Sequence, residues 1–146
     1  MANDIEQAVV FYLENHPTFS PLVQGVYFNQ APIEAIQPYV VVTNSGGMTK
    51  KITLDKYSDT KDTLSIYIDD PDSVHGNELA KALVLTLRNY RGNFPPPSYN
   101  CPVTLLDSQI RVGTPRDLIG FQGTFRSLIT AYVWYLEITT QPDSES

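Results

Sequence analysis

The stretch from Thr124 to Thr139 constrains the fold most, because its about 16 residues divide, by alternate positions, into a mostly apolar set and a mixed set. Alternation with a period of two indicates a β-strand whose successive side chains point to opposite faces of a sheet. One face would carry Phe125, Ser127, Ile129, Ala131, Val133 and Tyr135, and the other Arg126, Leu128, Thr130, Tyr132, Trp134 and Leu136. The second face is half apolar, so we expect a helix or a neighbouring subunit to cover its late part.

Four further segments predict strands: Gly25–Phe28, Pro38–Thr43, Thr63–Ile68 and Val103–Val112. The second of these is rich in β-branched residues on both faces, which predicts a central strand. Asp69-Asp70-Pro71-Asp72 is expected to stop the third. The fourth is not fully in phase, which indicates a bulge near Asp107.

Two segments predict helices, because their apolar residues recur at spacings of three and four. The first covers residues 4–15, with Asn3 or Asp4 as its cap, and ends at Asn15-His16-Pro17. The second covers residues 73–90, capped by Asp72 or Ser73 and stopped at Gly92. Its predicted apolar stripe is Leu79, Ala82, Leu83 and Leu87, widened by Val74, Ala80 and Tyr90.

Helices and strands in this order predict the α+β class: a mostly antiparallel or mixed sheet with two main helices packed on one face. The length of 146 residues fits one domain, which we place at residues 1–140, followed by a polar tail at 141–146. Residues 48–60 are polar and predict a strand arm or a mobile loop. The proline-rich stretch 92–102 predicts a stiff connector.

The net charge of −6 argues against nonspecific binding of nucleic acid, which needs basic residues on one face. The single cysteine excludes an intramolecular disulfide. Apolar runs are far shorter than the roughly 20 residues of a membrane span, so we expect neither anchor nor signal peptide, and synthesis in the cytosol.

No residue pattern predicts catalysis, a cofactor or a metal site. His16 and His75 are expected to lie at the surface, and Cys101 has no basic neighbour that would make it a nucleophile. The acids at 69–72 do not fit the twelve-residue calcium loop, so the strand stop and helix cap explain them better. A pocket that holds His75 at hydrogen-bond distance from Asp70 or Asp72 would favour an enzyme instead.

Candidate interface residues are aromatic or basic. The chain has nine tyrosines, and tyrosine is enriched at protein interfaces. Tyr132 and Trp134 share one face of the last strand. The pattern is compatible both with burial in the core and with a position between subunits. We add Tyr57 and the adjacent pair Lys50 and Lys51.

Several motifs, taken in order, carry a family resemblance. They are a helix starting near Ile5, Val26-Tyr27, Ala31-Pro32, the Pro38–Val42 strand, the Leu64–Ile68 strand, the Leu79–Leu83 helix segment and a late aromatic strand. Over residues 5–138 the chain resembles the tail-completion or tail-terminator proteins of long-tailed bacteriophages. The proline-rich loop and the segment 44–60 depart from that pattern, so no loop roles carry over.

The resemblance implies a non-enzymatic virion protein at the head–tail junction, made in the host cytoplasm. It implies a homohexameric ring, assembled in solution or only on the tail, that caps the tail tube and meets a head-side connector protein. DNA would pass through the lumen without specific binding, and an acidic inner wall would suit that passage. Alternatives are another phage neck or head-to-tail adaptor protein, a small ligand-binding domain or enzyme, and an unrelated host interaction protein.

Overall fold

The computed structural model describes residues 4–44, 52–54, 57–119 and 124–138. These residues form two α-helices, eight strands and two short 3₁₀ turns, at Ser20–Leu22 and Pro97–Tyr99. The helices are α1 (Asp4–Asn15) and α2 (Ser73–Leu87). The strands are β1 (Gly25–Phe28), β2 (Tyr39–Asn44), β3 (Ile52–Leu54), β4 (Tyr57–Asp70), β5 (Arg91–Phe94), β6 (Leu105–Val112), β7 (Arg116–Ile119) and β8 (Phe125–Ile138).

The strands form one mixed sheet in the order β1-β2-β4-β8-β6-β5, with β3 paired to β4 and β7 paired to β8. The β1–β2 pair is parallel and every other pair is antiparallel. With two helices packed against this sheet, the predicted α+β class is confirmed.

The centre of the sheet is the long β4–β8 pair, which runs from Tyr57 opposite Ile138 to Asp70 opposite Phe125. The long late strand is therefore confirmed. The predicted end of the preceding strand at Ile68 is wrong, because Asp69 and Asp70 stay in the ladder opposite Arg126 and Phe125.

Strand β2 lies between β1 and β4, and Val40, Val41 and Val42 are all fully buried. Its prediction as a central strand is confirmed. Val40 and Val42 point into the core under the helices. Val41 points to the opposite face, where Tyr27 on β1 and Tyr67 on β4 are its partners in the ladder.

The core lies between one face of the sheet and both helices. Helix α1 contributes Ile5, Ala8, Val9, Val10, Tyr12 and Leu13, and α2 contributes Leu79, Ala80, Leu83 and Leu87. Strand β8 contributes Ile129, Ala131, Val133 and Tyr135, the face that the alternation predicted. Burying each large aliphatic side chain stabilises the fold by about 1.5–3 kcal/mol, which fixes the helices to this face.

Helix α2 differs from its prediction in two respects. It ends at Leu87 rather than residue 90, because Arg88 has an extended backbone and Asn89 has a φ of +59°. Val74 is exposed and does not belong to the apolar stripe. Its cap is Asp72, whose carboxylate accepts a hydrogen bond from the Val74 backbone N–H.

The prediction of a plain connector at 92–102 is wrong in its first part. Arg91–Phe94 forms β5 and pairs with β6, and Phe94 is fully buried. The predicted bulge is confirmed: Asp107 has a φ of +49°, and the β6–β8 register shifts between Leu106 and Gln109.

Of the predicted arm at 48–60, strand β3 pairs with the first residues of β4, while residues 48–51 and 55–56 lie outside the described residues. The predicted tail at 141–146 also lies outside them. Neither described helix is long and apolar enough to cross a membrane.

Candidate interaction surface

The sheet has one face that no described helix covers. Strand alternation places Trp134 and Tyr132 of β8 on this uncovered face, opposite the core positions Val133 and Tyr135. In the ladder, Trp134 faces Lys61 on β4, and on the other side Tyr132 faces Arg111 on β6. Neighbouring strands thus bring cations to both sides of two aromatic rings.

These four side chains form an aromatic–cation cluster. The Tyr132 and Trp134 ring centroids lie 6.5 Å apart. The Lys61 ammonium lies 5.5 Å from the Tyr132 ring and 5.2 Å from the Trp134 ring, and the Arg111 guanidinium lies 5.9 Å from the Trp134 ring. Each such contact contributes about 0.5–1 kcal/mol at an exposed site. Tyr132 is 38% exposed, so the cluster is accessible to a partner.

An open cavity of about 390 Å³ borders the cluster and is lined by Asp107, Gln109, Arg111, Trp134, Tyr135 and Leu136. Aromatic side chains at the centre and polar or charged groups around them are the composition of a protein–protein contact. The arrangement suits recognition of a protein surface.

A second cluster on the same face joins β2, β4 and β8. Arg126 donates from Nε and Nη2 to the two carboxylate oxygens of Asp69, at 2.7 and 2.8 Å, and Tyr39 donates to the same carboxylate at 2.9 Å. The guanidinium also lies 4.2 Å from the Tyr67 ring. Hydrogen bonding to Asp69 raises the pKa of Arg126. Burial, and then the bond to Asp69, raise the pKa of Tyr39 to about 12.

Three of the five arginines of the chain line another cavity, of about 370 Å³: Arg88, Arg91 and Arg111, beside Asn89 and Gln109. All three arginines are exposed, and none of them forms an ion pair with a described residue. This arginine cavity concentrates positive charge in a chain of net charge −6.

The start of α2 brings together His75 and Asp70, with Nδ1 and Oδ2 2.6 Å apart. Asp70 is buried and also accepts from the Asp72 backbone N–H at 2.8 Å. The hydrogen bond to Asp70 raises the pKa of His75, and the charges of Asp70, Asp72 and Glu78 add to this rise. The hydrogen bond named as favouring an enzyme is thus present. Neither His75 nor Asp70 lines the cavity beside the aromatic–cation cluster or the arginine cavity.

The other chemically capable residues have structural surroundings. The Nδ1 of His16 accepts hydrogen bonds from the Thr18 and Phe19 backbone N–H groups, both at 3.2 Å, and its ring packs edge-on against Tyr12. Cys101 is half-buried and has no disulfide partner. Within the described residues no group of three or more His, Cys, Asp or Glu side chains could hold a metal ion.

Of the five candidate interface residues, the structure brings Tyr132 and Trp134 together on the uncovered face. Tyr57 begins β4, with its side chain outside the description, and Lys50 and Lys51 lie outside the described residues. An interface role for all five stays a prediction. Lys61 and the arginine cavity were not predicted from the sequence. Strand alternation could have indicated Lys61, because it is an odd number of residues from Ile66 and so lies on the opposite face of the strand.

No family model matches the sequence, and no curated protein matches it. Among solved structures, the fold is similar to that of a chain in the virion of a native gene transfer agent (GTA) particle. The TM-score is 0.58 at 9% sequence identity, and the match covers 89% of this chain and 93% of that one. At this identity the likeness establishes a shared fold along nearly the whole of both chains.

Proposed function

We propose that this chain is a structural protein of a phage-like virion and acts as its tail terminator. It assembles into a hexameric ring that caps the tail tube, stops the growth of the tube, and meets the connector on the head side. It works through surfaces rather than through an active site, and it resides at the head–tail junction.

One observation carries the proposal: the fold likeness to a chain of a GTA virion extends over 89% of this chain and 93% of that one. It agrees with the ordered sequence motifs that resemble those of tail terminators. Shared fold alone does not fix function. The support therefore comes from two different kinds of similarity pointing to the same class of particle.

The uncovered face suits this role physically. A closed ring needs heterologous contacts, in which one surface of a subunit meets a different surface of the next. The aromatic–cation cluster around Trp134 offers a well-packed, partly exposed contact patch on a rigid sheet. The helix-covered face is different, with Val74 and Leu85 exposed on α2, so the two sides of the subunit are not equivalent.

A binding experiment separates the tail terminator from its nearest alternative, another neck or head-to-tail adaptor protein. Purified chain is sedimented with tail tubes that lack their terminator and, separately, with capsids that carry only the connector. A terminator binds the tube ends and shortens tubes when it is present during their polymerisation. Binding to connectors alone would favour the adaptor, and binding to neither would overturn the proposal.

The Trp134→Glu variant provides the matched test of the surface. It should lose binding to tubes, because a carboxylate replaces the aromatic centre of the cluster. The control Leu85→Glu changes an exposed apolar side chain on α2, away from the sheet, and should bind tubes like the unmodified chain.

A further inference from the structure

Helix α2 carries opposite charges at its two ends. Asp72 and Glu78 are exposed near its start, and the described arginines Arg88 and Arg91 are exposed just beyond its end. Sixteen positions separate Asp72 from Arg88, which is about 24 Å at 1.5 Å per residue. The acidic residues and the basic residues therefore lie towards opposite ends of α2.

The basic end of α2 borders the arginine cavity. Arg111 of β6 joins Arg88 and Arg91 around a space of about 370 Å³, with the amides of Asn89 and Gln109 beside them. Because none of the three guanidinium groups has an ion pair among the described residues, all three are available for carboxylates from outside. Arginine binds carboxylates through two parallel hydrogen bonds, which gives such a site directional preference.

The acidic end of α2 is also exposed. Asp72 and Glu78 lie on either side of His75 in sequence, and the negative charges of both raise the pKa of His75. The two carboxylates therefore lie close to the same imidazole. Glu78 forms no ion pair among the described residues, and Lys81, one turn further on, does not pair with it. Buried Asp70 is already paired with His75 and is not counted in this acidic end.

We infer that the acidic end of α2 on one copy of this chain, Asp72 and Glu78, docks into the arginine cavity of the next copy. The partner is a second copy because the chain itself carries a complementary carboxylate group at the opposite end of the same helix. A contact between two different surfaces is heterologous, and repeated head to tail it closes a ring or extends a filament. This inference rests on the proposed ring and names a further contact between its subunits.

Nucleic acid fits the cavity less well. Binding of a duplex depends on a stripe of basic residues that neutralises several phosphates, whereas this cavity holds three arginines in a chain of net charge −6. Separate guanidinium groups suit individual carboxylates, each of which arginine binds through two parallel hydrogen bonds. Duplex DNA is accordingly the competing occupant in the test.

Charge reversal tests the contact. Self-association is measured by sedimentation velocity at low and at physiological salt for Arg91→Glu, Glu78→Arg and the double variant. Each single change should weaken association by about tenfold or more, and the double variant should recover it, because the reversed charges again meet. Arg116→Glu and Glu14→Arg are matched controls outside the two ends, and should associate like the unmodified chain.

Zero-length coupling identifies the partners directly. Arg91→Lys keeps the charge and supplies an amine, which a carbodiimide joins to a carboxylate in contact with it. In a mixture of ¹⁴N- and ¹⁵N-labelled chains, mass spectrometry should find an amide between position 91 of one copy and Glu78 or Asp72 of another. Saturable binding of a short DNA duplex that Arg91→Glu abolishes, with no such amide, would overturn the inference in favour of nucleic acid.

The outcomes separate this inference from the proposed function. Rings or capped tubes that form equally well with Arg91→Glu and Glu78→Arg, or that crosslink only elsewhere, overturn the inference and leave the tail terminator standing. A chain that associates neither with itself nor with tail tubes at any salt concentration overturns both.

Discussion

Asp69 and Arg126 are 57 residues apart in sequence and directly opposite in the β4–β8 ladder, joined by two parallel hydrogen bonds of 2.7 and 2.8 Å. The Asp69 side chain is almost fully buried, while the Arg126 side chain is 38% exposed. Tyr39 of β2 donates a third hydrogen bond to the same carboxylate. One acidic side chain thus ties three adjacent strands together on the uncovered face.

Replacing Arg126 with methionine should lower the free energy of unfolding by about 2 kcal/mol, because a buried carboxylate loses two charge-assisted hydrogen bonds. Urea unfolding measures this. Asp69→Asn added to Arg126→Met should cost less than the sum of the single changes, since the unpaired charge is then gone. Strict additivity would show that the pair does not act as a unit.

Gly76→Ala should destabilise the chain although alanine is the better helix former by about 1 kcal/mol. A Cβ at position 76 would lie 2.8 Å from Cδ2 of Phe125 and 3.3 Å from Cβ of Asp70, so the start of β8 or of α2 must shift. We expect a net loss of about 1–2 kcal/mol in thermal or urea unfolding. Phe125→Leu should relieve part of the loss, and an increase in stability for Gly76→Ala alone would refute this close packing.

The His75–Asp70 pair should make stability depend on pH. The hydrogen bond to Asp70 raises the folded-state pKa of His75 above its unfolded value of about 6.5. Its stabilisation is therefore complete below the unfolded pKa and is lost as pH rises through the folded pKa. The stability difference between the unmodified chain and His75→Gln should be larger at about pH 5.5 than at about pH 8.5. In an Asp70→Asn background the difference should depend less on pH, because only the weaker fields of Asp72 and Glu78 still raise the pKa of His75. A pH-independent difference with Asp70 intact would contradict this pairing.

The two faces of β8 should respond differently to a buried charge. Val133→Glu places a carboxylate in the core, where it lacks a partner, and should prevent folding. Trp134→Glu changes the uncovered face, so circular dichroism should show a folded chain with a modestly lower melting temperature. If Trp134→Glu unfolds the chain as completely as Val133→Glu, the uncovered face is not the surface described above.

The periodicity of apolar residues was enough to predict the elements that are specified by their own sequence. The alternation from Phe125 to Tyr135 gave the correct core face of β8, and the spacing of Ile5, Val9 and Leu13 gave α1. Strand β5 was not predicted, because Arg91–Phe94 has no alternation of apolar residues and is followed by prolines. These residues form a strand by pairing with β6. The pattern predicted a strand stop at Asp69 and Asp70 because their ladder partners, Arg126 and Phe125, lie far along the chain.

The candidate surface was predictable in part. The sequence predicts that Tyr132 and Trp134 share a face, because residues two positions apart in a strand point the same way. That Lys61 and Arg111 flank them depends on the register of β4 and β6 against β8, and the bulge at Asp107 displaces that register in a way no local pattern specifies. The arginine cavity depends on the end of α2 meeting β5 and β6, which is tertiary information.

The most direct test of the proposed tail terminator is electron microscopy of tail tubes polymerised in the presence of the purified chain. The account predicts a six-fold ring on one end of each tube and tubes that stop growing once the ring is in place. Tubes of unchanged length with bare ends, at a concentration of chain well above that of tube ends, would contradict it.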